Sequence, residues 1–246
     1  MLVRSATVTE QCEAGWEPEP PPPPPPATDT LLNPCADAAA LQNSASFISY
    51  MQELKDSANS NKEYAYCLFK DAAEVFGNTP IGLIHGSENR LGINDFVNNY
   101  MLDAIVHSHF NTNTDSTRGL SVFSPDDLWS MCLTFNDGNM NNTATFSLGL
   151  VTQNGTKYLL KVENLTKFRI WADKFVREKM INHKTAYLVE YKINSTNSND
   201  LNEKNFLLYL RDNASGLKLF KGNDDFTQWT SLGLDTNNNV AIVPCQ

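Results

Sequence analysis

The residue pattern predicts an α/β chain, mixed α+β in detail, with a mixed sheet flanked by helices. Three observations carry this. Apolar residues recur at spacings of three and four over 38–56 and 165–181, the signature of amphipathic helices. Short runs rich in aromatic and branched residues, 64–69, 81–85 and 101–107, have the length of strands. Thr152-Gln-Asn-Gly155 lies between two further apolar runs, and Asn-Gly in that setting is a strong hairpin signal. Helices and strands interleave, and no repeat with a 20–50-residue period is visible.

Taken in order, Leu41, Ala45, Ile48, Met51 and Leu54 form the stripe of the first helix, and Phe47 widens it. Tyr64-Ala-Tyr-Cys-Leu-Phe69 reads as a strand. Gly77-Asn-Thr-Pro80 marks a turn before Ile81-Gly-Leu-Ile-His85, a second strand. Met101-Leu-Asp-Ala-Ile-Val-His107 is the third, followed by a long polar stretch, 110–123. Ser124-Pro-Asp-Asp127 opens a helix running to about Thr134, because Ser caps, Pro suits the first helical position and an acid suits the third. Strands 144–151 and 157–163 form the hairpin, and Phe168, Trp171, Phe175 and Val176 stripe the helix after it. A polar loop at 194–202, a helix at 203–212 and strands at 217–220 and 240–243 complete the chain.

The first thirty-odd residues do not belong to a core. Pro20–Pro26 is an unbroken run that favours polyproline II, a semi-rigid spacer of roughly 20 Å. Met1–Glu10 lacks the apolar stretch of a secretion signal. A spacer so near the start suggests a domain carried behind another segment. That would allow a place in the cell envelope if the segment exports it, and the cytoplasm otherwise. The remaining length fits one domain, or a domain with a C-terminal extension.

Composition excludes several classes. A net charge of −9 argues against a nucleic-acid partner, which clustered Lys and Arg would have to bind. Apolar stretches are strand-sized, so no membrane span is expected. Cys12, Cys35, Cys67, Cys132 and Cys245 are odd in number and contain no Cys-x-x-Cys pair, which excludes a zinc ribbon. Cys67 and Cys132 lie in apolar surroundings and read as small buried hydrophobes. A Cys35–Cys245 bridge between the ends of the folded part is open. Oligomeric state is not legible.

Chemistry concentrates in one place. His107 and His109 are two apart at the end of an apolar run, so on a strand both imidazoles point to one face. Ser124 and Asp127 then supply a hydroxyl and a carboxylate from the start of a helix. Two imidazole nitrogens, one carboxylate oxygen and a water complete the open tetrahedron of a catalytic zinc ion. Read separately, His-x-His is a common pair of polar residues on a strand, and Ser-Pro-Asp-Asp is an ordinary helix start. Asp126 reads as a first-turn acid facing the helix dipole. His85 and His183 lack a partner at ligand spacing and read as structural.

Glu63, His107-Ser-His109 and Ser124-Pro-Asp-Asp127 together resemble the JAMM (JAB/MPN-type) metalloprotease family: an upstream Glu, His-x-His, a loop and Ser-x-x-Asp. Val106-His-Ser-His-Phe110 with Val122-Phe-Ser-Pro-Asp-Asp-Leu-Trp129 looks like bacterial JAB-like proteins, many from Bacteroidetes. The likeness is firm over residues 60–135. It extends toward Phe206-Leu-Leu-Tyr-Leu210 and Gly216-Leu-Lys-Leu-Phe-Lys-Gly222. It implies a JAB/MPN-like, cytidine-deaminase-like domain over 36–165 with an α+β extension over 166–246, and the Pro-rich lead over 1–35 reads as disordered. It also implies one zinc ion on His107, His109 and Asp127, and a peptide or protein substrate. Ser124 would donate to the oxyanion, and Glu63 would move the proton of a zinc-activated water.

This sequence departs from the pattern in two places. Phe110 stands where members often have Pro, and fourteen residues, 110–123, separate the second His from Ser124. Glu74 and Glu88 are alternative upstream acids. A multi-metal phosphoesterase also opens with His-x-His but needs several later His and Asp, and only His183 follows here. The alternatives to amide hydrolysis are a catalytically silent binding or scaffold module on the same fold, and a domain whose task an upstream region sets.

Overall fold

The computed structural model describes residues 31–60, 62–79, 83–85, 100–110 and 119–244. Among them, nine strands form one mixed sheet. The strands are β1 (Tyr64–Lys70), β2 (Phe76–Asn78), β3 (Ile84–His85), β4 (Ala104–His109), β5 (Ser147–Thr152), β6 (Lys157–Val162), β7 (Leu217–Gly222), β8 (Trp229–Leu234) and β9 (Val240–Ile242). Their order is β2-β1-β4-β5-β6-β7-β8-β9, with β3 also on β1. Every pairing is antiparallel except β4 with β5. A parallel pair requires a crossover, and the helix α3 (Pro125–Asn136) supplies it.

Helices cover both faces. α1 (Pro34–Leu41) and α2 (Ala45–Ser57) lie on one, where Phe47, Met51 and Leu54 meet Val106, Val151 and Leu159. Contact there is close: a Cβ on Gly149 of β5 would come within 2.7 Å of Val106 Cγ1. The opposite face carries α3, α4 (Leu165–Arg177), α5 (Met180–Thr185), a π-helical turn (Ala186–Glu190) and α6 (Asn199–Asp212). Leu128, Met131, Phe168, Phe206 and Leu210 pack there on Ile105, Leu148 and Leu160. β4, β5 and β6 are buried along their whole length, as central strands with both faces covered must be.

The hairpin forms where Asn-Gly predicts it, with Gly155 at φ +82°. Other elements differ from expectation. The helix expected over 38–56 is two helices, because Ser44 accepts from Phe47 N and starts α2 afresh. The turn expected at Gly77–Pro80 comes earlier. Asp71 accepts from the amides of Ala73 and Val75, so Phe76–Asn78 returns along β1 as β2. β4 begins at Ala104 rather than 101. The helix expected over 165–181 stops at Arg177, where Glu178 turns extended, and α5 follows. Ser198 caps α6 from Leu201 N, four residues ahead of the expected start. β8 was not foreseen: Thr, Ser and Gly dilute its strand pattern, and pairing to β7 and β9 defines it.

Cys67 and Cys132 are free and buried, as expected, and burial pushes the Cys67 thiol up to about 12. Cys35 is disulfide-bonded. Its expected partner Cys245, the Pro-rich lead and most of 81–99 lie outside the described residues. No helix among the described residues is long and apolar enough to cross a membrane.

Candidate metal centre

The strand period sets the first part of the site. Ile105, His107 and His109 share the face of β4 that α3 covers, and the two imidazoles are 2% and 3% exposed. They emerge at the carboxyl end of β4, beside the start of the crossover helix, where open α/β sheets place their ligands.

A helix cap sets the second part. Ser124 Oγ accepts from Asp127 N at 3.2 Å, and Ser124 N donates to Asp127 Oδ2 at 2.6 Å, a reciprocal capping box. The bond that fixes the Asp127 side chain also aims it at the histidines. His107 Nε2 lies 3.1 Å from Asp127 Oδ1, His109 Nε2 3.2 Å from Asp127 Oδ2, and the two Nε2 atoms are 3.3 Å apart. The capping bond and the approach to the histidines therefore coexist in one side chain.

The protonation state follows from the surroundings. His109 Nδ1 is 2.9 Å from Leu120 O, and a carbonyl only accepts, so Nδ1 carries the hydrogen. In neutral His109 the Nε2 lone pair then faces a carboxylate. Two acceptors meet, and the conflict needs a positive charge, either a proton or a cation. Burial opposes a charge on His109. The Asp127 carboxylate beside it, hydrogen-bonded to it, and the more distant Glu63 outweigh that and push its pKa up to about 9. Burial likewise opposes ionisation of Asp127, but the two imidazoles hold it well below the usual carboxylate range.

The donor set fits a metal ion. Two imidazoles and a carboxylate are the open three-ligand set of catalytic zinc, whose bond lengths put tetrahedral donors about 3.3–3.4 Å apart. The 3.3 Å between the two imidazole nitrogens matches that edge, while the imidazoles face different oxygens of Asp127, at 3.1 and 3.2 Å. The three side chains form a buried group able to hold an ion. Leu120 O accepts from His109 Nδ1, the kind of contact that would orient a metal-ligating ring, whereas His107 Nδ1 is buried without such a partner among the described residues.

Ala65 pairs with His107 at the end of the β1–β4 register, and Glu63, two residues earlier, lies near enough for its charge to raise the His109 pKa. Ser108 reinforces the end of that ladder by accepting from Tyr64 N at 3.1 Å. Glu74 sits at the other end of β1, exposed and paired with Lys70, and Glu88 lies outside the described residues. The bond from Asp127 N uses a lone pair of Ser124 Oγ and leaves its proton to donate. Asp126 pairs with Lys184 at 2.9 Å on the surface. His183 is structural: it bonds Phe175 O at 2.8 Å and stacks on the Phe175 ring. The side chain of His85 lies outside the described residues.

Sequence reasoning missed two features of the surroundings. Tyr187, in the π-helical turn, is fully buried with no partner for its hydroxyl among the described residues. Burial, Tyr209 and the Asp127 charge raise its pKa well above the ordinary value. No local pattern marks it. The second feature is Asn202, on the buried face of α6 one turn before Phe206. An amide in an apolar stripe is a signal that sequence can show. Comparison with protein-family models, with curated proteins and with solved structures finds no match, so the assignment of this centre rests on its own geometry.

Proposed function

We propose that this chain is a zinc-dependent hydrolase of a peptide, isopeptide or related amide bond, built on a JAB/MPN-like domain. The observation that carries the reading is the trio His107, His109 and Asp127, a buried group with one donor atom from each within 4.8 Å of the others, with Ser124 capping Asp127 and the Glu63 charge acting on His109. When bound, zinc supplies a water that ionises near neutral pH and a Lewis acid for the carbonyl.

The chain's own groups do the rest. Glu63 accepts a proton from the attacking water as the new C–O bond forms. It returns that proton to the amine nitrogen as the C–N bond breaks. The hydroxyl proton of Ser124, held in place by the cap, donates to the oxygen of the former carbonyl as charge builds there. Leu120 O keeps the His109 ring in the tautomer whose Nε2 faces the centre. Phe123, its ring centroid 6.1 Å from that of His107, walls the site with Phe206 behind it.

Metal analysis of the purified protein tests the reading. About one zinc per chain is expected, and His109→Ala should remove it. Glu63→Gln should keep the metal and abolish cleavage of a peptide and isopeptide panel; an unchanged rate would move the proton transfer elsewhere. Stoichiometric zinc with no cleavage by the wild type would assign the chain to a binding module instead.

A further inference from the structure

Leu120 O, which fixes the His109 tautomer, belongs to a short segment with no regular structure of its own. A backbone carbonyl orients a ring only as firmly as its own chain is held. Two elements hold this one. Thr156 Oγ1, beside the β5–β6 turn, donates to Ser121 O at 2.6 Å and is itself 2.7 Å from Thr152 Oγ1. Asn202 Nδ2 of α6 donates to Ser121 Oγ at 3.1 Å. Ser121 and Asn202 are 2% and 1% exposed, so water does not compete for this bond. Asn202 is locked in turn: its Nδ2 reaches Asn194 O at 2.9 Å, and its Oδ1 accepts from Asn194 N and Asn197 Nδ2.

We propose that Asn202 is a positioning residue of the metal centre, acting through Ser121 and the Leu120 carbonyl on the ring of His109. The C-terminal part of the chain thereby builds the outer shell of a site whose ligands all come from β4 and α3. The inference rests on His109 being a ligand, and two readouts on the full-length protein separate the claims.

The first is zinc affinity, measured with Zn²⁺ alone against a chromophoric chelator. Ser121→Ala removes only the acceptor, and Asn202→Ala removes the donor. Each should weaken zinc by about tenfold, the lower end for loss of an outer-shell partner. The double variant should be no weaker than the worse single, because both break one path. Asn205→Ala, on α6 away from this path, should bind as wild type. Zinc affinity unchanged in Ser121→Ala would overturn the proposal, and loss confined to Asn202→Ala would reduce Asn202 to a support for the 194–197 loop.

The second readout is the His109 Nδ1 proton in the metal-free protein, followed by its exchange with solvent in imidazole ¹⁵N spectra. Slow exchange in the wild type and faster exchange in both single variants are expected. Equal rates would overturn the proposal even if the wild type bound no zinc, a result that would sink the metal reading alone.

Discussion

Two buried charged groups lie on opposite faces of the same sheet, and they are built to opposite plans. On the α1 side, Lys161 is fully buried and donates to Asp37, to Thr145 O at 3.0 Å and to Ser147 Oγ at 2.7 Å. An ammonium has three protons, and here three acceptors meet them. On the α3 side, Asp127 lies against two imidazole nitrogens whose hydrogens depend on the tautomer, and its charge pushes the His109 pKa up to about 9. The first group is closed, whereas the second needs a positive charge, either a proton or a cation.

The sharpest way to break this contrast is to open the closed group. Burial pushes the Lys161 pKa down to about 7, so Asp37→Ala, which removes the counter-charge, should cost about 3–5 kcal/mol below that pH, where the amine stays charged, and less above it, read from urea unfolding. Zinc content should stay the same. Loss of zinc in that variant would show that the two faces are not independent.

A smaller effect concerns pH in the chelator-treated protein. The His109 pKa rises on folding, from 6.5 to about 9. Its contribution is therefore complete below about pH 6.5 and disappears as pH climbs through about 9. Urea midpoints should fall across that window, while zinc affinity should rise over it because binding displaces the proton. Midpoints flat with pH would mean that His109 does not carry the compensating charge. The smallest effect belongs to removing the closed group whole. Asp37→Leu with Lys161→Met should be neutral to stabilising, since a satisfied buried pair gains little over apolar packing.

The centre was largely legible in the sequence because two local rules produce it. Period two on a strand aligns His107 with His109, and a capping box turns Asp127 toward them. The rest was illegible for equally physical reasons. A tautomer fixed by Leu120 O leaves no mark in the identity of residue 120, because every residue has a carbonyl. Glu63 is distinguished from Glu74 only by place on the strand: it lies two residues before the Ala65–His107 pair, whereas Glu74 lies past the other end of β1. The break at Glu178 carries no Gly or Pro, and β8 exists because two neighbours pair with it. The α1–α2 break, by contrast, was written in Ser44, since Leu41, Ala45 and Ile48 keep helical spacing across an interruption that a capping serine announces.

The double duty of Asp127 ties two events together. One oxygen is fastened to the Ser124 amide and the other reaches His107, so the opening turn of α3 cannot unravel while the centre stays assembled. Loading with zinc should therefore tighten that turn, and exchange of the Ser124 and Asp127 amides becomes a gauge of occupancy that needs no knowledge of the substrate.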